Sequence, residues 1–359
     1  MSYCLILSLI ALVGAAGPKS ASDDLILQFR DGTTGERADA KRSLLREHGK
    51  PLPAALQKDL FRIFAQKNLP GEVRVDAMIV LLEANAALAG FEEELRKIAA
   101  ATSEPVEVRV SAVMGLQIIL RNHAGTPEPT NLLFKLLTDQ NESAVIRLAV
   151  GNALLGNAAL REKLIDAVTR IVESGNESFD ARSQVMRLIP FTILSTPKKN
   201  GSVTSLLMRL SADDAESTHF RVETLNCLAG ILVEIEFDSI EMIQTSEQLS
   251  RALVKVLADS KTHRRIREAA GQTLGTCPKA DSTLVADLNG ILISQERFIH
   301  PFAAGALGSI GAEAKSSVPH LIRIRNDMQE KKETREAAEK ALLAIDPETA
   351  GRLGIQGKE

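Results

Sequence analysis

Apolar positions along this chain return in a fixed arrangement. Counting from Arg37, Arg74, Arg109, Arg147, Arg182, Arg221, Arg267, His300 and Arg335, a short side chain follows three residues on and a large aliphatic one seven on. The first set is Ala40, Ala77, Ala112, Val150, Val185, Thr224, Ala270, Ala303 and Ala338. The second is Leu44, Leu81, Leu116, Leu154, Ile189, Leu228, Leu274, Leu307 and Leu342. Offsets 0, 3 and 7 share one helical face, so each occurrence predicts an amphipathic helix with a small-residue stripe. Successive origins are 37, 35, 38, 35, 39, 46, 33 and 35 residues apart.

A further helix precedes each of these. LPAALQKDLFRIFAQ, TNLLFKLLTD, LSRALVKVLAD and SVPHLIRIRND are apolar at i, i+3 and i+4, and polar turns such as DGTTGE, DQNESA and ESGNES separate the two helices of a repeat. No alternating strand pattern recurs. The pattern predicts an all-α chain, an α-solenoid of about nine antiparallel helix pairs in which each pair buries its apolar face against its neighbours. Two irregularities stand out. Pro190 falls inside the second helix of the fifth repeat and is expected to kink it, and the 46-residue interval implies an insertion near residues 234–247.

The segment FAAGALGSIGAEAKSSVPHLIRIRND, with ETREAAEKALLAIDPE, resembles the HEAT-repeat family in its bacterial phycobilisome-lyase-like variant. The matching features are the V/I-R that opens the second helix, the A-x-x-x-L ladder, the ALGxIG end and the VPxLI that opens the next first helix. The resemblance covers residues 22–346 and is strongest from 263 onward. It implies a HEAT/armadillo-like superhelix, an extended concave surface lined by second helices, and a scaffolding role. Some relatives attach bilin chromophores, which makes a chromophore lyase the alternative reading. A HEAT-type nucleic-acid-binding protein is the third.

Gly305, Gly308 and Gly311 look at first like a phosphate loop. A loop of that kind follows a strand and opens a helix, whereas these glycines come late in a second helix, where small side chains let helices approach. The Arg at each origin reads as a structural ladder: Arg37, Arg74, Arg109, Arg147, Arg182, Arg221, Arg267 and Arg335, able to bond turn carbonyls or acids of adjacent repeats. The ladder is expected to break at His300, because histidine lacks the bidentate fork.

Composition narrows function further. A net charge of −3 and the absence of Trp, with Tyr3 the single Tyr, argue against nucleic acid as partner. Cys4, Cys227 and Cys277 form no CxxC and no disulfide framework, and Cys227 and Cys277 read as inert core thiols. The histidines at 48, 123, 219, 263, 300 and 320 show no metal-ligand spacing and read as solvated or capping groups. No catalytic motif, cofactor site or metal site is expected. Asn141, Asn176 and Asn200 begin Asn-x-Ser sequons; the first two fall at a turn position where capping explains the residue type. Glu234, Glu236, Asp238 and Glu241 read as a solvated loop or helix extension, with a loosely held divalent cation as the alternative. KTHRRIRE gathers Lys261, His263, Arg264, Arg265 and Arg267, and Lys331 with Lys332 recurs two repeats on; these read as solvated turns, with a basic patch for an acidic protein or glycan as the alternative. A protein partner is expected, with His263, Arg264, Arg265, Glu268 and Gln272 as candidate contacts.

Residues 1–21 stand apart. CLILSLIALVGAAG is a short apolar run ending in small residues and followed by PKSASDD, the pattern of a secretory signal; residues 4–16 as a retained membrane anchor are the alternative. The expected location is secreted or periplasmic, with no stable membrane insertion after signal removal, and residues 347–359 are expected to form a polar tail. Intact-mass analysis of protein from its native source should show a start between residues 16 and 22. The processed chain, lacking Tyr3, should then absorb almost nothing at 280 nm; recovery of the unprocessed chain would overturn the reading.

Overall fold

The computed structural model describes residues 21–48, 51–122, 127–193, 196, 199–234, 240–276 and 282–356. These residues are helical and contain no strand, and no helix among them is long and apolar enough to cross a membrane. They fall into two contact units, 1–136 and 137–359, which divide within α7 (Pro127–Thr138).

In the first unit, α1 (Ala21–Asp31), α3 (Ala54–Ala65) and α5 (Glu92–Ala100) are first helices. Their partners are α2 (Thr34–His48), α4 (Gly71–Glu83) and α6 (Val106–Asn122). Each first helix packs on its own second helix, α2 on α4, and α4 on α6. The second unit continues the pattern. Its second helices are α8 (Ala144–Leu155), the pair α10 (Phe179–Met186) and α11 (Ile189–Ile193), α13 (Thr218–Glu234), α15 (Arg264–Leu274), α17 (His300–Ile310) and α19 (Lys332–Ile345). Its first helices are α9 (Arg161–Glu173), α12 (Asn200–Ala212), α14 (Ile240–Ala258), α16 (Ser282–Ile293) and α18 (Val318–Asn326). Within this unit second helices pack on second helices and first on first, which is the α-solenoid arrangement.

The buried stripe is what the heptad-like spacing dictates. Every residue at the +3 and +7 offsets is buried, none more than 2% exposed. Close approach needs glycine at two places. A Cβ at Gly271 would stand 2.6 Å from the Phe302 Cβ, and one at Gly308 would stand 3.1 Å from the Ala341 Cα. Gly305 instead faces open space, and Gly311, at φ 73°, ends α17 in a conformation that disfavours a side chain. The glycine run is therefore a packing and capping feature on a helix.

The origin arginines take positions that explain their recurrence. Nε donates to the carbonyl ten residues earlier, in the last turn of the preceding first helix: Arg74 to Phe64 at 2.7 Å, Arg109 to Ala99 at 2.9 Å, and Arg147, Arg182, Arg221 and Arg267 to Leu137, Val172, Ser211 and Leu257 at 2.8 Å. Those carbonyls have no partner inside their own helix, and a cation there also suits the negative end of the helix dipole. The remaining nitrogens reach a carboxylate in the next turn along. Arg74 meets Glu104 at 2.6 Å; Arg147 grips Glu177 with two bonds of 2.6 and 2.9 Å; Arg182 grips Glu216 at 3.0 and 2.5 Å; Arg267 meets Glu296.

Those carboxylates follow a rule the origin positions hide. Glu104, Glu142, Glu177, Glu216 and Glu330 each stand five residues before an origin, and Glu296 stands four before His300. Where neither place holds an acid, the preceding arginine turns elsewhere. Thr262 stands five before Arg267, and Arg221 bonds Asp214 of its own turn at 2.6 Å. Leu69 stands five before Arg74, and Arg37 reaches Asp76 and Glu72 on α4 at 2.8 and 3.1 Å.

The ladder does not break at His300. That ring is 3% exposed, with Nδ1 2.8 Å from Glu330 Oε1 and Nε2 3.1 Å from the Ser294 carbonyl, so its two nitrogens reproduce the two roles of the guanidinium. His300 is thus a buried rung, neither solvated nor capping. Arg335 is the exception at the other end: half-buried, it donates only to the Glu330 carbonyl, at 2.8 Å.

Three further expectations meet the structure. The fifth second helix breaks at Arg187–Leu188, just before Pro190, rather than bending through it. Part of the long interval lengthens the first helix α14, which has 19 residues. Residues 235–239 lie outside the described ones, as do Cys4, Cys277, His123 and residues 1–20, and nothing is described of the side chains of Glu234, Glu241 or His48. The segment after 346 is no loose tail. Asp346 caps α20 (Pro347–Arg352) by accepting from the Thr349 N–H at 3.0 Å, Pro347 suits the first helical turn, and Ala350 and Ile355 are buried.

Arg147→Ala should cost about 3–5 kcal/mol, because it strands the Glu177 carboxylate in a buried site. Arg265→Ala, at an exposed turn, should change stability by less than about 0.5 kcal/mol. Chemical denaturation of the two variants checks this, and equal melting of both would sink the rung's structural role. Acid adds a second readout. The Arg74 guanidinium holds the Glu104 carboxyl below the usual carboxylate range, so this rung's stabilisation is complete above the unfolded-chain value and is lost as pH falls through the folded one. Glu104→Gln should therefore flatten the loss of stability on acidification.

Candidate functional site

The rungs use the origin side chain of each second helix, and the informative polar groups are those beside them that lack a partner. The break between α10 and α11 leaves such a place. Pro190 has no N–H to offer the carbonyl four residues back, Met186, and the Cys227 thiol of α13 takes that carbonyl instead at 3.6 Å. The Leu188 N–H turns back to Val185 at 3.0 Å and the helix restarts at Ile189. Cys227 is therefore a structural thiol: burial pushes it up to about 12, far from a reactive thiolate.

The break opens a cleft of about 290 Å³ against α13, lined by Ser183, Met186, Arg187, Pro190, Phe191, Glu223, Asn226 and Cys227. Phe191 exposes 62% of its surface there, unusually much for a large apolar side chain. Arg187 and Asn226 are exposed and Glu223 half-buried, and none of the three makes a hydrogen bond or ion pair among the described residues. Ser183 is 7% exposed, and its hydroxyl finds no partner there.

The contacts expected from sequence sit on α15 and its cap, the next second helix after α13. His263 caps α15, its Nδ1 accepting from the Arg265 N–H at 3.2 Å. Arg264 is exposed, bonded to Glu268 at 2.7 Å, and its guanidinium lies 5.1 Å from the centre of the Phe298 ring. Arg265 and Gln272 are exposed. Lys331 and Lys332 are exposed as well, Lys332 lying 3.6 Å from Glu336. None of the sequence-derived candidates lines the cleft. Yet a signal for it was present: Arg187 and Asn226 stand at +5 from their origins, as Gln272 does, and Ser183 stands at +1, as Glu268 does. The same face was named in one repeat and passed over in two.

Among the described residues no group of histidine, cysteine and acidic side chains is placed to hold a metal. The sequon residues differ in placement: Asn141 and Asn176 are exposed in turns, and Asn200 is 6% exposed at the start of α12.

No protein-family model matches the chain, and no curated protein matches its sequence. Solved structures do match. The crystal structure of Kap121p superposes with a TM-score of 0.61 over 89% of this chain and 36% of that one, at 14% identity. Kap95p, solved with RanGDP, gives 0.59 over 91% and 44% at 11% identity. The karyopherin Kap121p bound to the extreme C-terminus of the protein phosphatase Cdc14p gives 0.56 over 90% and 41% at 12% identity. The chain thus spans less than half the length of these proteins, and at such identities the likeness is one of fold. It reaches the HEAT-repeat α-solenoid architecture and not the phycobilisome-lyase-like variant.

Proposed function

We propose that this chain is a non-catalytic scaffold that binds another protein through its second-helix face and works outside the cytoplasm, secreted or periplasmic. One observation carries the binding reading. Beside the committed rung arginines, α10, α11 and α13 leave an exposed aromatic ring, an arginine, a glutamate and an amide uncommitted around one cleft. Exposed aromatic and arginine side chains beside a pocket are the usual anchors of protein interfaces. The fold agrees with this use, since Kap121p has been solved bound to the extreme C-terminus of the protein phosphatase Cdc14p and bound to the SUMO protease Ulp1p. The export reading rests on the apolar run at residues 4–16 and its small-residue end. His263, Arg264, Arg265, Glu268 and Gln272 belong to the same binding face, with Arg264 and Arg265 supplying positive charge for acidic groups of the partner.

The test is capture by the immobilised chain from the envelope fraction of its native source, followed by titration of the captured protein made separately. Reversing Arg264 and Arg265 to Glu should leave the melting temperature unchanged and weaken that binding about tenfold, as loss of rim charges does. Undiminished binding by the reversed pair would remove those residues from the interface. Binding insensitive to every second-helix substitution, including Asn226→Arg and Gln272→Arg, would refute the face itself.

A further inference from the structure

Two clefts in the second unit differ in what they leave unsatisfied. The larger, about 490 Å³ between α9 and α12, is bordered by pairs that neutralise each other, Lys199 with Asp166 at 2.8 Å and Arg209 with Glu173 at 2.5 Å. Its charges are spent. The cleft beside Phe191 is the reverse case: it contains two opposite charges, and neither Arg187 nor Glu223 pairs with the other or with any described residue.

The walls say what fits. At about 290 Å³ the cleft lies at the bottom of the roughly 300–1,000 Å³ range of small-molecule sites, so it suits one side chain better than a cofactor. Met186, Pro190, Phe191 and the buried edge of Cys227 make it apolar inside. Ser183 adds a hydroxyl more than nine-tenths buried with no partner among the described residues, an arrangement that proteins avoid unless something supplies the bond. Asn226 offers both a donor and an acceptor, the pair that one extended peptide unit presents. The charges on the rim ask for their opposites on either side of the inserted group.

We infer that this cleft seats one large apolar side chain of an extended partner segment, with a carboxylate of that segment facing Arg187 and a cationic group facing Glu223. The assignment rests on the scaffold reading and makes it specific: it names the chemistry of the segment that the second-helix face selects. Cys227 contributes only its packed surface and its bond to Met186, and no covalent step is involved.

The experiment uses the full chain and a synthetic probe, an acetylated and amidated glycine-based peptide carrying aspartate, photo-reactive leucine and lysine at alternate positions. Irradiation followed by peptide mapping should place the adducts in the segments 183–191 and 223–227. Arg187→Glu should reduce the adduct yield at least fivefold, and replacing the probe's aspartate by lysine should restore it on that variant. Phe191→Ala should also lower the yield, and because Arg187 and Phe191 are exposed, circular dichroism should match the parent for both variants. Adducts elsewhere, or a yield indifferent to Arg187→Glu, overturn the assignment. So does equal competition by N-acetyl-leucine amide, which would make the cleft a small-molecule site, or chain-to-chain adducts at these segments that exclude the probe, which would make a second copy the occupant. If the probe fails while the captured natural partner still depends on Arg264 and Arg265, the scaffold reading stands and only the cleft's occupant falls.

Discussion

One bond recurs through the second unit and much of the first: an arginine Nε donating to the carbonyl ten residues before it. It satisfies a group that every helix C-terminus leaves open, and it does so from the start of the next helix, so the turn between them is held from both sides. The same guanidinium then reaches a carboxylate of the following turn. A single side chain therefore closes its own repeat and attaches the next. The small-residue stripe, the leucine seven residues on and the stacking of second helices all presuppose the register that this bond sets. Arginine suits the task because its charge is permanent and its planar fork serves two directions at once. Histidine at 300 does both with a ring, which shows that the two-way reach is the requirement and the guanidinium one way to meet it.

Bonding of this completeness has a corollary for function. Where a donor and an acceptor are matched within a rung, they have little left to offer a partner. The break before Pro190 interrupts the pattern: a helix loses one hydrogen bond, a thiol from the neighbouring helix covers the exposed carbonyl, and side chains that would have met each other are spread around an opening. Structural repair and surface availability arise from the same proline. Kap121p and Kap95p show the same helical architecture at larger size.

Much of the fold was legible in the sequence because helical periodicity is a property of sequence. Positions 0, +3 and +7 repeated with near-constant spacing, and those residues form the buried stripe. The carboxylate ends of the rungs went unread although Glu104, Glu177 and Glu216 recur as regularly, because they sit in turns, where acidic residues are common for other reasons. His300 was read as a gap for lack of a fork, since nothing in its spacing reveals that Glu330 and the Ser294 carbonyl come within reach of two different ring nitrogens. The basic turn at 263–265 was conspicuous as a run of like charge. The cleft was not, because Ser183, Arg187 and Phe191 stand 32 to 43 residues before Glu223 and Asn226 of α13 and are joined to them only by the local geometry of a broken helix.

Arg221 folds back onto Asp214 of its own turn instead of crossing to the next, and this changes what repeat length means at that point. A rung that crosses ties repeat length to an ion pair, with sequence separations of 29 to 34 residues from arginine to carboxylate. A rung turned inward makes no such tie. The 46-residue interval begins at Arg221, and Thr262 stands where the following turn would place the partner carboxylate five residues before Arg267. Length can be gained or lost there without any ion pair having to be remade, so the seam between Arg221 and Arg267 is where this architecture can take on new sequence at least cost to its neighbours.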